Sequence, residues 1–261
     1  MPSISVGDTT LHYRFDGPED APVILLSNSL ASNLGMWDDQ IPTLLEAGYR
    51  VLRYDSRGHG QSGVTAGPYS IEQLADDAVG LLDALGLGRV SFMGCSKGGM
   101  VGQMLGTRHH QRIDRLVLCA TAAYAGGPET WAPRIAAVRD GGMAAVVDGT
   151  IERWFTAPGR ARMPAEVERI RQMILSTPPA GFIACGEAIA AMDQRESIRA
   201  IDRPTLVVVG EHDPGTPVSA AELIHDRISG SELVVLRDCA HFANVEQAAA
   251  FNAAIAGFLG R

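Results

Sequence analysis

The chain reads VSFMGCSKG over residues 90–98, where a short apolar run ends in the pentapeptide G-x-S-x-G. The apolar run has the composition of a buried strand, and residues 99–107 after it are helix-like. A serine on so sharp a strand-to-helix turn is forced into a strained backbone conformation that projects its hydroxyl, and only small neighbours avoid collision there. The flanking Gly94 and Gly98 therefore predict that Ser96 is a nucleophile.

A serine hydroxyl is a weak nucleophile unless a base takes its proton, and that base needs a carboxylate to hold its tautomer. Asp213 follows the strand pattern of residues 205–209, and His241 follows the next one, at residues 233–236. Functional side chains gather where parallel strands have their carboxyl ends. The chain order serine, acid, histidine predicts a catalytic triad in which His241 is the base for Ser96 and Asp213 orients it.

Short aliphatic runs alternate with helical stretches, which is typical of an α/β fold with a mainly parallel sheet and helices on both faces. An outer strand is predicted over residues 10–15. Inner strands are predicted over residues 23–27, 50–54, 90–93, 116–119, 205–209 and 233–236. The last five are nearly continuous apolar runs, as expected for strands buried on both faces. Residues 71–85 have apolar side chains at helical spacing and predict an amphipathic crossover helix.

The strand pattern disappears from about residue 126 to residue 200, where prolines separate helix-like segments. The clearest of these segments cover residues 133–139, 143–155 and 166–175. The sequence therefore predicts a helical cap inserted into the α/β core. The predicted boundaries are residues 1–124 for the first part of the core, 125–200 for the cap and 201–261 for the second part.

The composition indicates which kinds of binding partner to expect. A formal net charge of −8 argues against nucleic acid, because phosphate binding uses clustered Lys and Arg. No signal-peptide pattern and no run of roughly 20 apolar residues are found, so we expect a cytoplasmic protein with no membrane partner. The four scattered cysteines suit buried hydrophobic residues better than disulfides or a metal site, and no metal is expected. The sequence leaves the oligomeric state open.

The other histidines have weaker claims to a catalytic role. His12 and His225 are predicted to be exposed near the periphery of the fold. His59 lies in DSRGHGQS at residues 55–62, a Gly-rich turn after a strand. This turn is not a phosphate loop, because it lacks the G-K-[ST] ending.

Several stretches resemble one known family: LSNSL at residues 26–30, MWD at 36–38, VLRYDSRGHG at 51–60, GPYSIE at 67–72, GGM at 141–143 and ERWFT at 152–156. The family is that of the 3-oxoadipate enol-lactonases, α/β hydrolases of the β-ketoadipate pathway of aromatic-compound catabolism. The resemblance implies the α/β-hydrolase fold, no cofactor, and hydrolysis of 3-oxoadipate enol-lactone to 3-oxoadipate through an acyl-enzyme. It places Ser96, Asp213 and His241 in the family's catalytic positions.

The fold also supplies backbone amides to the oxyanion of the tetrahedral intermediate, one from the residue after the serine and one from the loop after the third strand. Here these are the N–H groups of Lys97 and Leu30. Asn28 and Ser29 stand in that loop where many relatives carry His-Gly. They are candidates for rigidifying the loop or binding substrate, and turn formation is the competing explanation.

Lys97 is a departure from the family pattern. Family members usually read Leu-Ser-Met where this chain reads Cys95-Ser96-Lys97. A lysine there must reach solvent, pair with a carboxylate or have a lowered pKa. One hypothesis is that Lys97 binds an anionic substrate or adjusts the field at Ser96; the other is a salt bridge to a nearby Asp or Glu.

A small anionic lactone or ester needs a partner for its carboxylate. Arg134 in the cap, near Trp131, is a candidate, because guanidinium binds carboxylate bidentately. Arg134 could equally be a solvated surface residue, and Arg139 or Arg153 could replace it. Trp131 and Trp154 could simply pack the cap.

Two other readings stay open, because a triad does not choose the acyl group. Within enzymes, the alternative is a broader carboxylesterase or lactonase, or a cofactor-free perhydrolase of the same fold. Outside enzymes, the alternative is a non-catalytic protein of this fold that holds a ligand without turnover. The unusual Lys97 keeps this last reading open.

Overall fold

An eight-stranded sheet organises residues 2–260, the part of the chain that the computed structural model describes. Its strands are β1 (Ser3–Val6), β2 (Thr9–Asp16), β3 (Val23–Ser27), β4 (Arg50–Tyr54), β5 (Val90–Cys95), β6 (Ile113–Cys119), β7 (Thr205–Gly210) and β8 (Glu232–Leu236). They lie in the order β1-β2-β4-β3-β5-β6-β7-β8. The pairs β1–β2 and β2–β4 are antiparallel and the others parallel, so the predicted mainly parallel sheet is confirmed.

The α-helices of the same residues are α1 (Ile41–Glu46), α2 (Ile71–Ala84), α3 (Lys97–Arg108), α4 (Gly127–Gly141), α5 (Val147–Trp154), α6 (Ala157–Arg162), α7 (Pro164–Leu175), α8 (Pro179–Ala191), α9 (Val218–Arg227), α10 (Ala243–Glu246) and α11 (Ala248–Leu259). Short 3-10 helices cover Leu34–Gln40, His110–Arg112, Met143–Ala145 and Ser197–Ala200. Helices α4 to α8 lie between β6 and β7, in residues 125–200, which we call the helical insertion. Several short helices were expected there, and this is confirmed; its separation as a cap domain stays a prediction.

The central strands are buried and the last strand is not. Every residue of β3, β5 and β7 is buried, as strands covered on both faces require. In β8, by contrast, Val235 is 40% exposed. The prediction that residues 233–236 are buried on both faces is wrong, because β8 lies at the edge of the sheet with β7 as its one neighbour.

Three elements differ from the expectation. Strand β1 was not predicted, because it has only four residues, two of which are serines. Helix α4 begins six residues before the predicted start, so Pro133 lies inside it. Helix α8 was missed because most of its length is buried, and a helix surrounded by core shows no apolar stripe.

His12 is buried, so the prediction that it is exposed is wrong. Its Nδ1 lies 2.9 Å from Oδ2 of Asp55, and its backbone N–H donates to Oγ of Ser62. The turn that begins at Asp55 folds over β2 and covers the ring. His225 is half-buried and contacts the Oγ of Ser231. The expectation of buried free cysteines is confirmed for all four.

None of the helices in residues 2–260 is alone long and apolar enough to cross a membrane. Helices α7 and α8 meet the length and composition criteria only as a pair, and the pair is bent by 91°.

Candidate active site

Ser96 occupies the turn between β5 and α3. Its backbone has φ 55° and ψ −113°, a region that residues other than glycine rarely adopt. A Cβ on Gly94 would lie 2.2 Å from the backbone oxygen of Gly98, and a Cβ on Gly98 would lie 2.1 Å from the backbone oxygen of Ser27. The steric reason for glycine at both positions is thereby confirmed. Ser96 remains partly exposed at the tip of the turn.

Asp213 and His241 meet at the same edge of the sheet, after β7 and β8. The Nδ1 of His241 donates to Oδ2 of Asp213 over 2.7 Å, and both side chains are buried. Burial alone would raise the pKa of Asp213, but the charge and hydrogen bond of His241, with further bonds from Thr216, hold it below its ordinary value. An ionised Asp213 keeps the ring proton on Nδ1, so Nε2 of His241 carries the free lone pair.

Thr216 supports this pair and was missed by the sequence analysis. Its hydroxyl donates to Oδ2 of Asp213 over 2.6 Å, and its backbone N–H and that of Gly215 donate to Oδ1. The signal was present in the turn-forming run Asp-Pro-Gly-Thr at residues 213–216, since an aspartate at the start of a turn accepts from the amides two and three residues on.

The helical insertion holds the loop of His241. Trp154 stacks on Phe242 with ring centroids 3.9 Å apart, and the Phe242 N–H donates to the Trp154 carbonyl over 2.9 Å. The buried carboxylate of Glu246 accepts from the amides of Ala240 and Thr156 and from the Thr156 hydroxyl. Glu246 was also missed, because it joins segments 90 residues apart in sequence.

A cavity of about 430 Å³ opens beside Ser96. Its wall includes Ser96, His241, Trp131, Trp154, Arg134 and Arg153. The structure therefore brings Ser96 and Trp131 together with Arg134 and Arg153, two of the three arginines that the sequence offered as partners for a substrate carboxylate. Arg139 lies away from this cavity: it is 60% exposed and 3.8 Å from the carboxylate of Glu187.

Arg134 and Arg153, the cavity arginine pair, share one acceptor. Each guanidinium donates to the hydroxyl oxygen of Thr150, over 3.2 Å and 3.1 Å respectively. Within residues 2–260 no carboxylate oxygen lies within 4.0 Å of either group. Burial, and then the charge of Arg153, lowers the pKa of Arg134 to about 9, so it remains charged at neutral pH. The Arg134 guanidinium carbon lies 5.5 Å from the Trp131 ring and 5.2 Å from the Phe182 ring.

The loop after β3 is held from inside. Asn28 is fully buried and donates to the carbonyls of Ser29 and Ser32 over 3.2 Å and 2.7 Å. The backbone N–H of Ser29 lies against the sulfur of Met36. Neither Asn28 nor Ser29 is among the residues that line the cavity, and their contacts fit a role in shaping the loop; direct substrate binding by either one stays a prediction.

The amides of Leu30 and Lys97 have no protein acceptor in the described part of the chain. The Lys97 amide is the first of helix α3, where orphan N–H groups carry the positive end of the helix dipole.

The Lys97 side chain turns away from the cavity. It is fully buried, and its Nζ donates to the Oγ of Ser56. The prediction that Lys97 binds substrate is contradicted, because the ammonium is sealed behind the serine turn. The salt-bridge hypothesis also fails within residues 2–260, where no carboxylate oxygen lies within 4.0 Å of Nζ. Of the three possibilities for a lysine at this position, a lowered pKa is the one that fits, because burial lowers the pKa of Lys97.

A surface cluster lies next to Asp213. The ligand atoms of Glu211, His212 and Asp238 lie within 4.8 Å of one another, and all three side chains are exposed. Exposed acidic groups often approach one another in this way, and nothing else in the structure singles out this cluster as a metal site.

The fold and the serine cavity agree with what known proteins show. The family described as alpha/beta hydrolase fold matches residues 22–248. The protein is therefore an α/β-hydrolase-fold enzyme, a hydrolase whose polar groups gather at the carboxyl ends of the strands.

More specific relatives cover nearly the whole chain. The 3-oxoadipate enol-lactonase 2 of Acinetobacter baylyi is 36% identical over 259 residues, which are 99% of this chain and 96% of that protein. The 3-oxoadipate enol-lactonase 1 of the same organism is 34% identical, over 96% and 93%. The enol-lactonase structure from Burkholderia xenovorans superposes with a TM-score of 0.97 at 42% identity and full coverage of both chains. The chain belongs to the 3-oxoadipate enol-lactonase family, as its sequence implied.

Proposed function

We propose that the protein hydrolyses a small carboxylated enol-lactone, 3-oxoadipate enol-lactone, at Ser96. The observation that carries the proposal is the cavity arginine pair: two guanidinium groups, with no carboxylate partner among residues 2–260, face the cavity that contains Ser96 and His241. A half-buried cation without a counter-ion is costly unless an anion joins it, so the cavity suits an anionic substrate. The names of the relatives support the lactone in particular.

In the first step, the Ser96 oxygen attacks the ring carbonyl while Nε2 of His241 takes its proton. Asp213 stabilises the imidazolium that forms and keeps the ring oriented. The C–O bond of the ring then breaks, the enol oxygen leaves with the proton from His241, and the acyl group remains on Ser96. Water, activated by His241, releases the dicarboxylate product.

The amides of Leu30 and Lys97 are the donors that this step needs. A negative charge develops on the carbonyl oxygen only in the tetrahedral intermediate, so donors fixed in advance favour the transition state over the substrate. Neither amide has an acceptor in the part of the chain that the structure describes, and the Lys97 amide adds the field of the α3 N-terminus.

Arg134 is the proposed anchor for the carboxymethyl arm. Its planar group lies near two aromatic rings, which fix its orientation, and within residues 2–260 its Nε has no hydrogen-bond partner. Trp131 then forms apolar wall beside the ring of the substrate. Arg153 donates to the same Thr150 hydroxyl and adds a second positive charge to the cavity wall.

The test is steady-state hydrolysis of 3-oxoadipate enol-lactone by the parent and by Ser96→Ala. We expect efficient turnover by the parent and a loss of about 10⁴–10⁶-fold in kcat for the variant. Adipate, a stable analogue of the product, should bind both proteins with similar affinity, which shows that the variant is folded. A parent that leaves this lactone intact but hydrolyses p-nitrophenyl acetate would replace the proposal by a broader carboxylesterase. Failure of a fluorophosphonate to label Ser96 would favour a non-catalytic ligand-binding protein.

A further inference from the structure

Lys97 is a buried cation that the proposed reaction does not use directly. Its side chain is fully buried, and its nearest polar partner is the hydroxyl of Ser56 instead of a carboxylate. A buried ammonium without a carboxylate partner destabilises the fold. Such a group calls for a role that an apolar side chain in the same place would not perform.

Lys97 is connected to the loop after β3 by a chain of hydrogen bonds. Because the ammonium can only donate, the Ser56 hydroxyl accepts a hydrogen bond from Lys97. The same hydroxyl donates a hydrogen bond to Oδ1 of Asn28 over 3.1 Å. The Ser56 amide donates to the same oxygen over 3.2 Å. These donors fix which end of the Asn28 amide faces inward, so its Nδ2 is left to hold the carbonyls of Ser29 and Ser32. Lys97, Ser56 and Asn28 form what we call the buried lysine network.

A second connection runs through His59, which is also fully buried. Its Nδ1 donates to the Arg57 carbonyl over 3.2 Å, so its Nε2 is free to accept from the backbone N–H of Ala31 over 3.1 Å. That bond requires a neutral ring. Burial, and then the charge of Lys97, keeps the pKa of His59 well below its ordinary value.

The two connections act on both sides of Leu30. Asn28 ties the loop before it, and His59 ties Ala31 after it, where the backbone has a positive φ of 61°. The residue between them presents the free amide that the oxyanion needs. A small rotation of that peptide would turn its N–H away from the developing charge.

We propose that Lys97 is a positioning residue that, through Ser56 and Asn28, fixes the loop of residues 28–32 with the Leu30 amide facing the oxyanion. This inference rests on the proposed function, because an oxyanion forms there only if Ser96 attacks a carbonyl. It predicts that the side chain of Lys97 matters for the transition state and not for substrate binding. A merely structural role would affect both.

The test compares two ligands on the parent and on Lys97→Met, which keeps an unbranched side chain, one atom shorter, and removes its charge. A trifluoromethyl ketone with a terminal carboxylate gains a bond from Ser96 to its carbonyl carbon, its oxygen becomes the oxyanion, and the Ser96 proton moves to His241. Adipate uses the cavity without forming an oxyanion. We expect the variant to bind the ketone about 10–100-fold more weakly, to lose kcat similarly, and to bind adipate within about 2-fold of the parent.

Two further variants separate positioning from general damage. Ser56→Ala cuts the path and keeps the charge, so it should show the same pattern to a lesser degree, and the double variant should resemble Lys97→Met alone. Gln103→Met is the matched control: it replaces another fully buried polar side chain on α3, one that contacts Ala122 and not the loop. It should change neither ligand by more than about 2-fold.

The outcomes are distinct. Ketone and adipate affinities that fall together in Lys97→Met, or ketone binding that stays unchanged, would overturn the positioning role. A thermal melt of each variant shows whether it is folded, and removing the buried charge should leave the Lys97→Met melting temperature equal or higher. If the parent binds the ketone but leaves the lactone intact, the substrate assignment fails while the comparison of the two ligands still decides the role of Lys97.

Discussion

Two cationic regions lie on either side of Ser96, and they differ in what surrounds the charge. The cavity arginine pair is half-buried, faces open space and lacks an anion within the described chain. The buried lysine network is sealed from solvent, and its ammonium donates to a hydroxyl. A ligand can therefore contact the positive charges of the cavity arginine pair, whereas the positive charge of the buried lysine network contacts only the protein interior.

Accessibility to the substrate decides what a positive charge near the nucleophile can do. A cation that a substrate can reach contributes to binding the ground state and the transition state alike. A buried cation that is connected only to a loop contributes to transition-state stabilisation through the position of that loop. The residue types agree with this comparison. The planar group of arginine presents two parallel donors, which suits the first region, and the compact ammonium of lysine suits the second.

The largest effect is expected from Arg134→Met. Losing a charge-assisted pair of hydrogen bonds should weaken adipate binding about 10–100-fold, measured by titration calorimetry. Arg139→Met provides the control, because Arg139 lies on the same helix but away from the cavity. Equal losses in the two variants would mean that overall charge, and not the position of Arg134, attracts the ligand.

A smaller effect is expected from Thr150→Val, which removes the oxygen that both arginines share. Each guanidinium would lose one fixed contact, and adipate should bind about 2–10-fold more weakly. Thr107→Val is matched to it, because the Thr107 hydroxyl also donates to the carbonyl four residues earlier but lies at the far end of α3. Adipate affinity unchanged in Thr150→Val would show that the pair needs no common support.

The smallest effect concerns stability and pH. Because burial lowers the pKa of Lys97, against the opposing charges of Cys185, Asp55 and Asp77, the unfolded chain binds more protons than the folded one between the lowered pKa and about 10.4. The free energy of unfolding should therefore rise with pH in that window, by about 1.4 kcal/mol for each unit by which the pKa is lowered. Urea unfolding at several pH values should show this rise for the parent and not for Lys97→Met. Parallel curves for the two proteins would contradict the buried charge.

Much of the site could be predicted because its main residues lie in the turns and loops that follow strands. Ser96, Asp213 and His241 each come after a strand of the parallel part of the sheet, and the shared direction of those strands places their carboxyl ends at one edge. Their meeting needs only the fold class, which the G-x-S-x-G turn and the alternating runs had indicated.

The rest depends on packing between distant segments. Helical spacing alone does not say whether Arg134 or Arg139 faces the cavity, since that depends on how α4 lies against α8 and the core. The direction of the Lys97 side chain depends on Ser56, 41 residues away. Glu246 is a buried acid whose partners are amides and a hydroxyl, and no sequence pattern marks such a link.

The measurement that tests the division between the two regions most directly is a ratio of kcat/KM values. The numerator is that for 3-oxoadipate enol-lactone; the denominator is that for α-angelica lactone, which has the same ring with methyl in place of the carboxymethyl arm. We predict that Arg134→Met lowers this ratio about 10–100-fold, whereas Lys97→Met slows both reactions and leaves the ratio within about 2-fold of the parent. A ratio that Arg134→Met leaves unchanged, or that Lys97→Met lowers as much, would contradict the account.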